Sequence, residues 1–291
     1  MSAMQVLVAD PHGMCSGVAR ALRIAAQALA ERPGETLWCY HKLVHNEHVV
    51  SELRARGARF VDDLEEIPEG ARVLFSAHGV SPAVREQAAA RRLRVVDATC
   101  PFVAKVHAEA RAYAARGLPI ALVGHKGHDE IVGVLGEAPE RIRVVETAQD
   151  AQTLRDDFPE AREVALLSQT TVSQAMVEAR LADLRALGLE PLLPDRRDIC
   201  TATQERQDAV RALAARADRI LVLGSPTSSN SKRLVEVAET AGCPATLIAS
   251  PEDLGALDFT GVRVLGLTSG ASTPESLLHD LLARLGAPAA D

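Results

Sequence analysis

Arg94-Val95-Val96-Asp97-Ala98-Thr99-Cys100-Pro101 is the stretch that decides the fold. Val95 and Val96 predict the end of a short buried strand. Pro101 opens a helical pattern in which Phe102, Val106 and Ala110 recur at spacings of four. A thiol at a strand's carboxyl end, beside a helix N-terminus, stands where α/β proteins place ligands. The arrangement occurs twice more. Val6-Leu7-Val8-Ala9 leads to Cys15 and a helix with Val18, Leu22, Ala25 and Leu29 on one face, and Leu192-Leu193 leads to Cys200 and a helix with Val210, Leu213 and Ala214.

The bulk properties narrow the function classes. At 291 residues, the chain suits two or three domains, and 47% hydrophobic with 24% charged residues describes a globular protein with a real core. Aromatics are only 3%, which leaves no stacking platform for single-stranded nucleic acid. With 32 basic against 39 acidic residues the net charge is −7, which argues against a polyanion surface, so no nucleic-acid partner is expected. No signal peptide and no membrane span of ~20 apolar residues is expected, and the chain reads as cytoplasmic. In that compartment the five cysteines, Cys15, Cys39, Cys100, Cys200 and Cys243, are not expected to form structural disulfides. The tail 286–291 is expected to be frayed and dispensable.

The polar loops repeat with the thiols. His45, His125 and Ser225 follow Cys15, Cys100 and Cys200 at about 25–30 residues, and His78, Thr170 and Ser272 follow at about 63–72. The spacing predicts three small α/β domains with mainly parallel sheets, at 1–99, 100–196 and 197–291. Their simplest packing is a pseudo-three-fold ring with the loops facing its axis.

Cys39 and Cys243 fit plain burial. Cys15, Cys100 and Cys200 occupy matching strand-end turns, and the chain has no CxxC pair. Three converging thiolates suit an iron–sulfur cluster with one iron left open, as a catalytic metal site requires. Zinc held by three Cys and a His also fits the spacing. His12, His41, His45, His78, His125 and His128 lie in predicted strand-end loops, whereas His48, His107 and His279 lie in helices and are expected at the surface. The hydroxyl-rich turns Gly224–Ser231 and Thr268–Pro274 suit phosphate binding without Arg or Lys. Glu130 is the loop carboxylate placed to relay a proton.

Taken in order, several motifs resemble one family. They are Val44-His45-Asn46, Ser76-Ala77-His78-Gly79-Val80, Asp97-Ala98-Thr99-Cys100-Pro101 and Gly124-His125-Lys126-Gly127-His128. Further on come Ser168-Gln169-Thr170-Thr171, Asp198-Ile199-Cys200-Thr201-Ala202-Thr203, Ser228-Ser229-Asn230-Ser231 and Gly270-Ala271-Ser272. With the loop around Cys15, they resemble the 4-hydroxy-3-methylbut-2-enyl diphosphate reductase family from about Val6 to Leu285. The resemblance implies a trefoil of three α/β domains around a central [4Fe–4S] cluster and the last step of the non-mevalonate isoprenoid pathway. It implies that Cys15, Cys100 and Cys200 hold the cluster, whose open iron takes the substrate hydroxyl as a Lewis acid. Glu130 would be the proton source, aligned by Thr170. His45, His78, His128, Ser228, Ser229, Asn230 and Ser272 would hold the diphosphate. A ferredoxin or flavodoxin with its reductase would supply electrons. His12 and Met14 stand where relatives often have Arg and Phe, and Val132 where many have Glu. A quinolinate synthase-like three-Cys enzyme lacks this motif match. A non-catalytic metal or redox-sensing module is the remaining reading.

Overall fold

The computed structural model describes residues 4–287, so the expectation for the tail falls mostly on 288–291, outside the described residues. Among the described residues there are twelve strands and ten α-helices, divided between two compact units. One unit takes Arg20–Leu43 and Glu52–Cys200. The other takes the chain up to Ala19, Val44–Ser51, and the chain from Thr201 onward. No helix among these residues is long and apolar enough to cross a membrane.

The larger unit holds two four-stranded sheets, and every strand pairing in them is parallel. The first comprises β2 (Leu37–Tyr40), β3 (Ala58–Val61), β4 (Arg72–Phe75) and β5 (Arg94–Asp97), in the order β3-β2-β4-β5. The second comprises β6 (Ile120–Val123), β7 (Ile142–Val144), β8 (Glu163–Ser168) and β9 (Glu190–Leu192), in the order β7-β6-β8-β9. The smaller unit holds one parallel sheet of β1 (Gln5–Val8), β10 (Arg219–Leu223), β11 (Ala245–Ile248) and β12 (Val264–Ser269), in the order β1-β12-β10-β11. The helices are α1 (Ser16–Glu31), α2 (Glu47–Ala55), α3 (Pro82–Ala90), α4 (Pro101–Ala115), α5 (Asp129–Leu135), α6 (Ala148–Asp157), α7 (Gln174–Ala186), α8 (Thr201–Ala214), α9 (Ser229–Thr240) and α10 (Glu275–Arg284).

Alternation along the central strands explains why these sheets are covered on both faces. Ile120, Leu122, Ala165 and Leu167 pack with Val106 and Ala110 of α4 and with Ile131 and Val134 of α5. Their neighbours Ala121, Val123, Val164 and Leu166 pack with Ala151 and Leu154 of α6 and with Val177 and Leu184 of α7. In the smaller unit Ile220 and Val222 face one core, and Leu221, Leu223, Leu265 and Leu267 face the other. Each such Leu or Ile contributes about 1.5–3 kcal/mol by leaving water.

One strand order recurs in all three sheets. Of the three strands that follow one another in each sheet (β2–β4, β6–β8 and β10–β12), the first and last sit side by side and the middle one flanks the first, while the strand that delivers a cysteine lies at the far edge. The cysteine-bearing strand therefore closes each sheet. β5, which leads to Cys100, pairs with β4, and β9, which leads to Cys200, pairs with β8. β1 lies within 1–99 by sequence, yet it hydrogen-bonds to β12 and not to β2–β5.

The edge position corrects the reading of the opening stretch. Val95 is 42% exposed, because β5 has a neighbour on one side only. On α4 the buried face is carried by Val103, Val106 and Ala110, whereas Phe102 is 38% exposed. His107 was expected at the surface and is buried instead. Its Nδ1 lies 2.6 Å from Glu137 Oε1, which also accepts from Arg111 at 2.8 Å, so the carboxylate compensates the buried ring. Gly79 rests on this ring with φ +75, and a Cβ there would meet His107 Nε2 at 2.8 Å. Gly79→Ala is expected to lower the unfolding free energy by about 2 kcal/mol, from the left-handed backbone and the clash together. Urea titration measures this, and a change inside the error would refute the packing account.

Candidate active site

At the centre of the β7-β6-β8-β9 sheet the strand order switches sides between the parallel strands β6 and β8, and the loops after these two strands meet. The β6 loop ends at His128, which caps α5 by accepting the Glu130 N–H on its Nδ1 at 3.2 Å. This turn buries Glu130, which is 2% exposed. Thr170, from the β8 loop, donates its N–H to Glu130 Oε1 at 2.6 Å and its hydroxyl to Oε2 at 2.9 Å. Burial pushes the Glu130 carboxyl up to about 7, against the two Thr170 bonds that favour its anion. The Thr170 carbonyl accepts the Cys200 N–H at 3.2 Å, so one residue touches both the acid and a thiol loop.

In the β3-β2-β4-β5 sheet, the loop after β4 carries His78. Its backbone N–H is held by Ser76 Oγ at 3.3 Å, and its ring meets that of His128 edge-on with centroids 5.5 Å apart. Asp129 lies 3.8 Å from both the His78 and the His41 Nδ1 atoms. The residue before His78, Ala77, accepts the Cys100 N–H on its carbonyl at 3.0 Å. The other loop histidines are taken up elsewhere. His125 pairs with Glu146 at 2.9 Å, and His12 contacts its own strand end at Ala9 O at 2.8 Å.

The smaller unit repeats the pattern with hydroxyls. Ser228 caps α9 by accepting the Ser231 N–H, and Ser229, Asn230 and Ser272 are buried beside it in sequence or at the neighbouring strand end. Ser272 Oγ donates to His45 O at 3.2 Å, and the adjacent Ala271 O accepts the Cys15 N–H at 3.0 Å. Asn230 Oδ1 and Nδ2, Ser231 Oγ, Thr268 Oγ1 and Ser269 Oγ are buried without a hydrogen-bond partner. Clustered orphan donors suit an oxygen-rich anion that brings its own acceptors.

The thiols divide into two chemical classes, and none of the five is in a disulfide. Cys39 and Cys243 are buried, and burial pushes the Cys39 thiol up to about 12, which keeps it protonated. Cys15, Cys100 and Cys200 are partly exposed, and each immediately precedes a long helix, α1, α4 and α8 respectively. Cys15 Sγ accepts the Val18 N–H at 3.4 Å. Each of the three is a partly exposed thiol at a helix start, a residue type and setting that fits a soft metal group.

Comparison with known proteins agrees. The sequence profile described as LytB protein matches residues 6–286. The chain belongs to the LytB family of 4-hydroxy-3-methylbut-2-enyl diphosphate reductases. It is 44% identical over 281 residues to 4-hydroxy-3-methylbut-2-enyl diphosphate reductase 2 of Burkholderia mallei, covering 97% of this chain and 85% of that protein. The Zymomonas mobilis reductase is 44% identical over 284 residues, covering 98% and 83%. The solved Plasmodium falciparum reductase superposes with a TM-score of 0.92 at 34% identity, covering 98% of this chain and 89% of that one. A second solved reductase, described as the terminal enzyme of the non-mevalonate pathway, gives a TM-score of 0.68 at 29% identity, covering 97% and 99%. LytB proteins are iron–sulfur enzymes, and this chain is a reductase of that kind.

Two polar residues of this LytB chain have no role in the sequence analysis, although one of them, Asp198, lies within a motif. Asp198 is buried and takes the Ser168 N–H at 2.8 Å, and Lys105 reaches it from α4 at the same distance. The signal was an acidic residue two positions before a thiol. Lys105, on a helix, carried none.

Glu130 also makes a stability signature. Its carboxyl ionises near 4.5 when exposed and near 7 when folded, so the protonated form binds the fold more tightly. That contribution is full below about 4.5 and is lost as pH rises through about 7. Glu130→Gln, which cannot ionise, should therefore gain about 3 kcal/mol relative to the native chain between roughly pH 4 and pH 8. Paired urea titrations of the metal-free proteins read this, and a pH-independent difference would sink the assignment.

Proposed function

We propose that this chain catalyses the reductive dehydroxylation of 4-hydroxy-3-methylbut-2-enyl diphosphate to isopentenyl and dimethylallyl diphosphate, the last step of the non-mevalonate isoprenoid pathway. The allylic hydroxyl leaves as water, at the expense of two electrons and two protons. Glu130 is the observation that carries the reading: a buried carboxyl poised near 7, with Thr170 on both oxygens. An acid of that strength is protonated often enough at neutral pH to donate, yet ionises readily afterwards.

Cys15, Cys100 and Cys200 would hold a [4Fe–4S] cluster, leaving one iron without a protein ligand. When bound, the cluster would relay the donor's electrons and supply a Lewis-acidic site for the hydroxyl. The chain's own residues do the rest. Thr170 keeps the Glu130 carboxyl in one orientation, so the proton sits at a fixed place. His45, His78, His128, Ser228, Ser229, Asn230 and Ser272 hold the diphosphate. The orphaned Asn230 amide supports this, because a phosphate oxygen and a bound water would satisfy it. Binding energy from the diphosphate, remote from the bond that breaks, fixes the hydroxymethyl end. The segments 1–99, 100–196 and 197–291 each bring one thiol and two polar loops to this function. The electrons come from outside, from a ferredoxin or flavodoxin with its reductase, in the cytoplasm.

Anaerobic turnover with a reduced donor tests this directly. Glu130→Gln is expected to lose about 100-fold or more in kcat while keeping its iron and sulfide. Cys100→Ser is expected to lose the iron itself. Undiminished turnover in Glu130→Gln would refute the proton-donor role, and zinc in place of iron and sulfide would refute the enzyme reading.

A further inference from the structure

Lys105 sits on α4, five residues beyond Cys100, and its ammonium makes three bonds. It donates to Glu109 Oε2, to Arg196 O and to Asp198 Oδ1, each at 2.8 Å. Glu109 is one turn further along the same helix. The other two acceptors belong to the segment that leads into Cys200. Asp198 has 2% of its side chain exposed, and its second oxygen accepts the Ser168 N–H at the end of β8. Both its oxygens face donors, which favours the carboxylate, while burial pushes the carboxyl up to about 7, so the Lys105 ammonium is what works against its neutralisation. Two residues on, the Cys200 N–H donates to Thr170 O, and Thr170 clasps Glu130. A continuous set of bonds thus runs from the helix that Cys100 caps, through Lys105 and Asp198, to the Cys200 loop, Thr170 and Glu130.

We propose that Lys105 is a positioning residue, which braces the Cys200 segment against α4 and β8 and thereby fixes the Thr170–Glu130 pair. The proposal rests on the reading of Glu130 as the proton donor. An exposed ion pair would contribute little. This one differs because its carboxyl is buried, so removing the cation leaves Asp198 with the Ser168 N–H alone and frees the 193–200 segment from α4. The segment 193–200 contains no helix or strand of its own, so side-chain bonds are what hold it. A compact ammonium can serve three acceptors in three directions, which a planar guanidinium cannot do equally well. Burial opposes the Lys105 charge, but Asp198 and Glu109 outweigh it and raise the lysine's pKa. The cation is therefore present throughout the working range.

Amide hydrogen exchange on the full-length chain, with and without its cluster, tests the brace independently of catalysis. In Lys105→Met the amides of Ser168 and Cys200 are expected to exchange about tenfold faster or more, while those of β6 and of the Cys15 loop keep native rates. Lys105→Arg, which keeps the charge, should fall between. Asp198→Asn serves as a second variant, removing the buried charge while keeping an acceptor for Ser168. It should loosen Cys200 more than Ser168. In turnover, Lys105→Met should lower kcat about tenfold with KM within about twofold, because the diphosphate-holding residues are untouched. Native exchange at Cys200 would overturn the brace, and so would a uniform rise across β6 and β8. Native kcat alongside loosened amides would overturn its link to Glu130. If the native chain itself gives no turnover, the function reading fails while the exchange result still stands.

Discussion

Parallel strands send their carboxyl ends the same way, so each sheet gathers its strand-end loops along one edge. In this chain the same strand order is used three times, with β2 beside β4, β6 beside β8 and β10 beside β12. The strand order switches sides between them, and a polar loop follows each: His41 to Leu43 and Ser76 to Val80, Gly124 to His128 and Gln169 to Ser173, and Gly224 to Ser228 and Gly270 to Thr273. The edge strand adds one thiol to each set. Everything chemical in the molecule depends on that order.

Within the frame, Glu130 shows how burial and hydrogen bonding are balanced. Desolvation alone would hold a carboxyl neutral well beyond physiological pH, and two donors alone would keep it ionised. Thr170 supplies both donors, from its amide and its hydroxyl, and burial outweighs them enough to leave the group near 7. The same backbone position holds Cys200 by its carbonyl. The Glu130 carboxyl and the Cys200 loop therefore share one anchor, Thr170.

The thiols and polar loops were legible because their residue types are chemically unusual at strand ends. A cysteine, histidine or hydroxyl cluster after a run of valines and leucines announces itself. The LytB motifs added the substrate class. Lys105, Asp198 and His107 were not legible. On a helix, a lysine or histidine has the same sequence appearance whether it meets water or a buried carboxylate, and in both cases the decisive partner is distant in sequence. Lys105 finds Asp198 across 93 positions, and His107 finds Glu137 across 30.

By itself the sequence determined the α/β class, the three matching thiols and the family, since hydrophobic period and residue chemistry are local properties. It also determined where the helix behind Cys100 begins, at Pro101. Which strands pair was decided only in three dimensions. Val95 is half exposed because β5 became an edge, and β1 joined β12 far away in the chain. Strand partners are chosen by which faces can be covered on both sides, and that depends on every other strand and helix at once. A pattern within one stretch cannot carry it.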